Sequence, residues 1–194
     1  MGVLKGILVP FQLWNDTVLK IGRWIAILAI ALMVAAILVQ VFFRYALNNP
    51  LPWPEELARF MMLWMTGLIA PMAYRRGGFV AIDMLLVALP KNLGALLSLV
   101  LLIVSGAVLV LAVQIGWAEV TGFGGRFATS SLYYPTGDGW EKVPKAWMMA
   151  SLAIGVTLLL IVNVELILRT LIKMLGGGKG LRPISPGEEE IMAE

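Results

Sequence analysis

Four stretches of this sequence stay apolar for roughly the thickness of a bilayer, and that pattern removes most folds from consideration. Trp24–Phe43 is a run of 20 residues, against the roughly 20 needed at about 1.5 Å per residue to cross about 30 Å of hydrocarbon. Phe60–Tyr74 is 15 residues long and reaches helix length once Glu55–Arg59 is added before it. Leu93–Ala118 is broken only by Ser98, Ser105 and Gln114, and a fourth run covers roughly Ala146–Ile167. Hydrocarbon offers the backbone no hydrogen-bond partner, so each crossing must satisfy itself as a helix. Composition agrees: 60% of residues are hydrophobic and 14% charged, where soluble domains carry about 25% charged. The expected fold is an all-α integral membrane protein with four transmembrane helices, at about residues 24–45, 55–75, 93–118 and 146–168. These form a single membrane domain over residues 1–175.

Around the crossings, smaller elements are expected. In residues 1–23, Phe11, Trp14, Val18 and Ile21 fall at helical spacing opposite Gln12, Asn15, Asp16, Lys20 and Arg23. That pattern reads as an N-terminal amphipathic helix on the membrane surface. The apolar run after it exceeds a signal-peptide core and has no small-residue cleavage site, so it reads as a retained span. Pro54 suits the start of the second crossing, Glu55 and Glu56 suit the positive end of its dipole, and Pro71 should kink it. Phe79–Leu89, interrupted by Asp83 and closed by Pro90, is too short to span and reads as a short interfacial helix. Glu119–Lys145 reads as a polar loop with five glycines and two prolines. Residues 176–194 read as a disordered cytoplasmic tail.

Orientation follows from Lys and Arg. With both termini on one side, that side carries Lys5, Lys20, Arg23, Arg75, Arg76, Lys91, Arg169, Lys173, Lys179 and Arg182. The other side carries Arg44, Arg59, Arg126, Lys142 and Lys145. Ten against five places both termini in the cytoplasm under the positive-inside rule. Arg75, Arg76, Asp83 and Lys91 then form a cytoplasmic interfacial group.

Much chemistry is excluded. With no Cys and no His, the chain has no disulfide, no Cys-ligated zinc or iron–sulfur centre, and no His-ligated haem. No cofactor or metal site is expected. A net charge of +3 is too small and dispersed for nucleic-acid binding. Gly176–Gly180 lacks the spacing and context of a phosphate loop. The first and third crossings hold no ionisable residue at mid-depth, whereas a substrate path usually needs one. Glu165 lies near the end of the fourth crossing, where it can pair with Arg169 at i,i+4. The pattern is that of a non-catalytic partner, not of a carrier acting alone.

The most informative segment is Phe43–Met62, FRYALNNPLPWPEELARFMM. Glu55 and Arg59 are i,i+4, Glu56 and Arg59 are i,i+3, and Arg44 can reach across the hairpin. Charges near lipid are costly unless paired, so Arg44, Glu55, Glu56 and Arg59 suggest a charge cluster capped by Trp53. Two readings stand: surface ion pairs worth about 0–1 kcal/mol each, or a cluster buried in a hairpin or subunit interface.

FFRYALNNPLPWPEELAR, followed by a helix and RRGGFVAID, resembles the small four-helix membrane subunit of tripartite ATP-independent periplasmic (TRAP) transporters, the DctQ-like subunit. The family pattern, an Arg ending helix one and then Trp-x-Glu-Glu-x-x-Arg, falls here on Arg44, Trp53, Glu55, Glu56 and Arg59. Its basic-glycine turn and following Asp fall on Arg75–Gly78 and Asp83; Phe79 stands where members often have His. The resemblance implies a sodium-driven, binding-protein-dependent system for organic anions. In it, a separate large membrane subunit carries substrate, a periplasmic binding protein delivers it, and the small subunit scaffolds the large one among the membrane lipids. The small subunit of a tricarboxylate-type transporter and an interfacial membrane enzyme are the competing readings. Ala31/Ala35, Ala112/Gly116 and Ser151/Gly155 are small-residue pairs that would let helices approach closely.

Overall fold

The computed structural model describes residues 2–77, 90–137, 139–175 and 184. Four long helices account for most of them: α1, Gly2–Tyr45; α2, Trp53–Arg75; α3, Lys91–Thr121; and α4, Lys145–Met174. Each is long and apolar enough to cross a membrane, so the expected all-α architecture with four spans is present. Asp83, the short helix expected over 79–89 and the tail lie outside the described residues, Ile184 excepted.

Helix α1 differs from expectation. The surface helix and the first crossing are one continuous helix of 44 residues, about 66 Å long at 1.5 Å per residue. The reason lies in its buried positions: Leu8, Gln12, Asn15, Leu19, Gly22, Ala26 and Ala29 alternate steps of four and three along one face, and Ala36 follows seven residues on. This 3.5-residue repeat is the seam of left-handed helix packing, and it runs unbroken past Arg23. The expected amphipathicity is inverted only in part: Asp16, Lys20 and Arg23 remain exposed. Gln12 and Asn15 are buried while Trp14 and Ile21 are exposed, because around a membrane protein the apolar phase is outside. Helix α4 carries a similar seam in Ser151, Gly155, Val162, Glu165, Arg169 and Ile172. Helix α2 stays helical through Pro71, which is itself buried. Helix α3 fully buries only Gly94 and Gly116 among its described side chains, and an all-round apolar helix of this kind is suited to lipid and partner contacts.

Between α3 and α4 the expected loop contains regular structure. A 3-10 turn at Gly124–Arg126 leads into strand β1, Ala128–Thr136, paired antiparallel with β2, Gly139–Pro144. The register is Tyr133 opposite Lys142, Tyr134 opposite Glu141, Pro135 opposite Trp140 and Thr136 opposite Gly139, with an irregularity between Ala128 and Tyr133. Lys145 N–H bonds the Phe127 carbonyl at 2.8 Å and closes the hairpin base.

The chain divides into two compact units. One draws on Met1–Leu19, Ala70–Leu111 and Leu158–Glu194. Its core is Leu19, Tyr74 and Val162, with Leu102, Leu159 and Leu166 packed against them. The other comprises Lys20–Ile69 and Ala112–Thr157, and small residues bring its helices together. A Cβ built on Gly155 would lie 2.8 Å from the Gly67 Cα, and one on Gly67 would collide with the Ser151 carbonyl. Gly116 meets Ala153 in the same way, at 3.2 Å from its Cα. Thus Gly116 and the Ser151/Gly155 pair sit at real helix crossings, Gly67 supplies the face opposite the latter, and Ala31 and Ala35 are exposed.

Candidate functional site: a hairpin anchor and a buried charge network

In the second unit, the α1–α2 connection is shaped by Asn48, which holds a left-handed φ of 47°, a conformation Asn tolerates better than most side chains. Helix α2 then opens with Trp53, Pro54, Glu55 and Glu56. Glu56 does not pair with an arginine. Its carboxylate accepts hydrogen bonds from Ser130 N–H at 2.9 Å, Ser131 N–H at 2.6 Å and the Ser131 hydroxyl at 2.6 Å. The hydroxyl also lies 2.9 Å from the Pro52 carbonyl. Glu56 is therefore the anchor by which the first turn of α2 holds β1.

The expected charge cluster is not formed within this chain. Among the described residues, no ion pair joins Arg44, Glu55, Glu56 or Arg59. Backbone N–H groups of β1 take the Glu56 oxygens, while Arg44, Glu55 and Arg59 are exposed, so leaving them unpaired costs little. The Arg44 guanidinium lies 5.7 Å from the Tyr45 ring centroid, and Trp53 is also exposed. The structure thus brings Glu56 to the hairpin and leaves Arg44, Trp53, Glu55 and Arg59 on the surface.

In the first unit, the polar centre is Glu165 on α4, which is fully buried. Arg75, ending α2, donates from Nη2 to Oε1 and from Nε to Oε2, both at 2.9 Å. Arg169 Nε donates to Oε1 at 2.9 Å, and Asn15 Nδ2 to Oε2 at 2.6 Å. Each carboxylate oxygen thus accepts two hydrogen bonds. Arg75 Nη1 in turn donates to Asp16 on α1. Planar bidentate pairing of the kind Arg75 makes with Glu165 is the strong form. A cation also suits the negative C-terminal end of α2.

A second polar set crosses the same unit. Asn163, fully buried, donates from Nδ2 to the Tyr74 hydroxyl, which lies 3.3 Å from Ser105 Oγ. The Asn163 Oδ1 points at Gly106, where a Cβ would come within 2.8 Å of it. Gly106 therefore makes room for the amide.

Arg75, expected in a cytoplasmic interfacial group, is buried in this network, and its three hydrogen bonds to the Glu165 and Asp16 carboxylates offset the cost of its burial. Arg76 is exposed, and Lys91 begins α3. The Glu165–Arg169 pair was legible as an i,i+4 spacing. Arg75, Asn15 and Asp16 were not placed with it, although two bases and two acids near helix ends were a readable balance. No group of three His, Cys, Asp or Glu residues suited to a metal occurs among the described residues.

Comparison with protein families places these features. A family model described as "Tripartite ATP-independent periplasmic transporters, DctQ component" matches residues 33–173. The match takes in Arg44, the Trp53–Arg59 segment, Arg75, the hairpin and the Glu165–Arg169 pair. No match is found among curated proteins.

Proposed function

The chain belongs to the DctQ family and is the small, multi-pass membrane subunit of a TRAP transporter, and from that premise we propose that it acts as the scaffold on which the large membrane subunit carries substrate. The family match over 33–173 carries this reading. The geometry supports it: Arg75, Glu165, Arg169 and Asp16 pair with one another, which fastens helices together.

The assembly is a sodium symporter for an organic anion such as a dicarboxylate, a 2-oxo acid or a sugar acid. The subunit sits in the bacterial inner membrane with both termini cytoplasmic, on the strength of ten basic residues against five. A periplasmic substrate-binding protein delivers the substrate. The exposed Arg44, Trp53, Glu55 and Arg59 meet a partner subunit, where charges left open in the single chain would find their counterions.

Mild-detergent purification of the tagged chain from its native host, with mass spectrometry of what accompanies it, tests this. Stoichiometric recovery of one large polytopic membrane protein is expected. Sodium-driven uptake of an organic anion by the chain alone in liposomes would refute it.

A further inference from the structure

The β1–β2 hairpin has two unlike faces. On the inner face Leu132 and Val143 are buried, and Tyr134 packs on Trp147 with ring centroids 5.5 Å apart while its hydroxyl donates to Glu141. The outer face is set by the register: Tyr133 opposite Lys142 and Pro135 opposite Trp140. All four outer residues are exposed, Trp140 at 73% and Tyr133 at 51%. A soluble hairpin in water gains nothing from showing a Trp, a Tyr and a Pro together.

Two attachments fix the height of the hairpin. Ser130 and Ser131 bind Glu56, three residues into α2. Tyr134 stacks on Trp147, two residues into α4. Both points lie about 3–5 Å along a helix at 1.5 Å per residue. The hairpin is therefore folded back to the level at which two spans begin, and does not stand away from them. If the spans begin where their apolar helices begin, that level falls at the membrane–water boundary, where Trp and Tyr are enriched.

The charge on this face fits the same place. Lys142 Nζ lies 5.8 Å from the Tyr133 ring centroid, and at the base of the hairpin Lys145, the first residue of α4, places its Nζ 5.8 Å from that of Phe127. Among the described residues neither lysine has a carboxylate within ion-pair distance. A ring with a free ammonium beside it has one apolar body and one charge, matching the acyl boundary and a lipid phosphate respectively.

We propose that the outer face of the β1–β2 hairpin lies in the membrane interface, with Trp140 and Tyr133 at the acyl boundary and Lys142 on anionic phospholipid headgroups. The hairpin is then a lipid anchor that holds the starts of α2 and α4 at a set depth. This depends on the helices crossing a bilayer and not on which subunit they accompany, so it can fail while the subunit reading stands.

The chain has no native cysteine, so Pro135→Cys provides a unique site for a nitroxide. The full chain is placed in nanodiscs of phosphatidylcholine with phosphatidylglycerol, and collisions of the label with oxygen and with a nickel chelate are measured. The label is expected to favour oxygen, as in the interface. Trp140→Ala should shift it towards the nickel chelate. Removing phosphatidylglycerol should shift it outward, and Lys142→Gln should abolish that lipid dependence. Preferential collision with the nickel chelate, as in bulk water, would overturn the proposal. So would shielding from both reagents in discs that also hold a co-purified partner, which would assign the face to protein. A depth unaffected by phosphatidylglycerol would overturn the headgroup assignment.

Discussion

Replacing Glu165 by Gln removes the one negative charge shared by Arg75, Arg169 and Asn15. The side chain keeps its size, so the effect isolates charge from packing. In the parent, Oε1 and Oε2 each accept two hydrogen bonds. In the variant one of those atoms becomes an NH2 donor facing donors, and Arg75 retains Asp16 as its carboxylate partner. Breaking a buried pair costs about 3–5 kcal/mol because the remaining charge is stranded. That is a large share of the roughly 5–15 kcal/mol by which whole domains are stable. The competing magnitude is that of polar contacts inside membrane bundles, which average about 0.6 kcal/mol because the unfolded chain in lipid also finds partners. The assay is reversible unfolding of the detergent-solubilised chain, followed by tryptophan fluorescence, for Glu165→Gln, Arg75→Gln and the double variant. A loss of about 3–5 kcal/mol is expected for each single variant, with the double variant clearly more stable than the sum of the two losses would allow. A loss below about 1 kcal/mol in Glu165→Gln, the range of exposed pairs, together with additive behaviour, would refute the account of a buried, mutually dependent network.

Glu56→Ala should release β1 without unfolding α4: each hydrogen bond to a charged acceptor is worth about 1.5–3 kcal/mol, so amide exchange at Ser130 and Ser131 should accelerate by at least about tenfold, read by mass spectrometry, while exchange within α4 stays slow. Gly67→Ala places a methyl against the Ser151 carbonyl and should lower stability by about 1–3 kcal/mol; Gly6→Ala, with open space around the new methyl, should be neutral or stabilising by up to about 1 kcal/mol. Arg44→Ala combined with Arg59→Ala should reduce recovery of the large subunit in co-purification and lower uptake in proportion, with the apparent substrate affinity unchanged; full recovery with altered affinity would contradict a role in assembly.

The hairpin was more legible than the expected loop suggests. The sequence TGDG at 136–139, between Leu132–Pro135 and Trp140–Val143, is a turn-rich hairpin signal, and Gly139, paired with Thr136, adopts a φ of 146° that suits Gly. The irregularity between Ala128 and Tyr133 breaks the alternation that would have marked β1 cleanly. The Arg44–Glu55–Glu56–Arg59 cluster misled because spacing shows which side chains can meet, while competition decides which do. For Glu56, backbone N–H groups 74 and 75 residues away were the better partners.

What the sequence by itself determined was the number of spans, their helical character and the family. All three depend on local facts: the length of an apolar run, a backbone that must satisfy its own hydrogen bonds in lipid, and a contiguous motif. Tertiary structure alone decided which faces turn inward and which charges pair. In lipid an amphipathic helix has no fixed sense, since its polar side can face water or protein. Asn15 turns inward because Glu165 awaits it 150 residues away, and Asp16, still exposed, reaches Arg75 59 residues away. Only the packed chain brings such distant groups close enough for mutual pairing to offset the cost of burying each one.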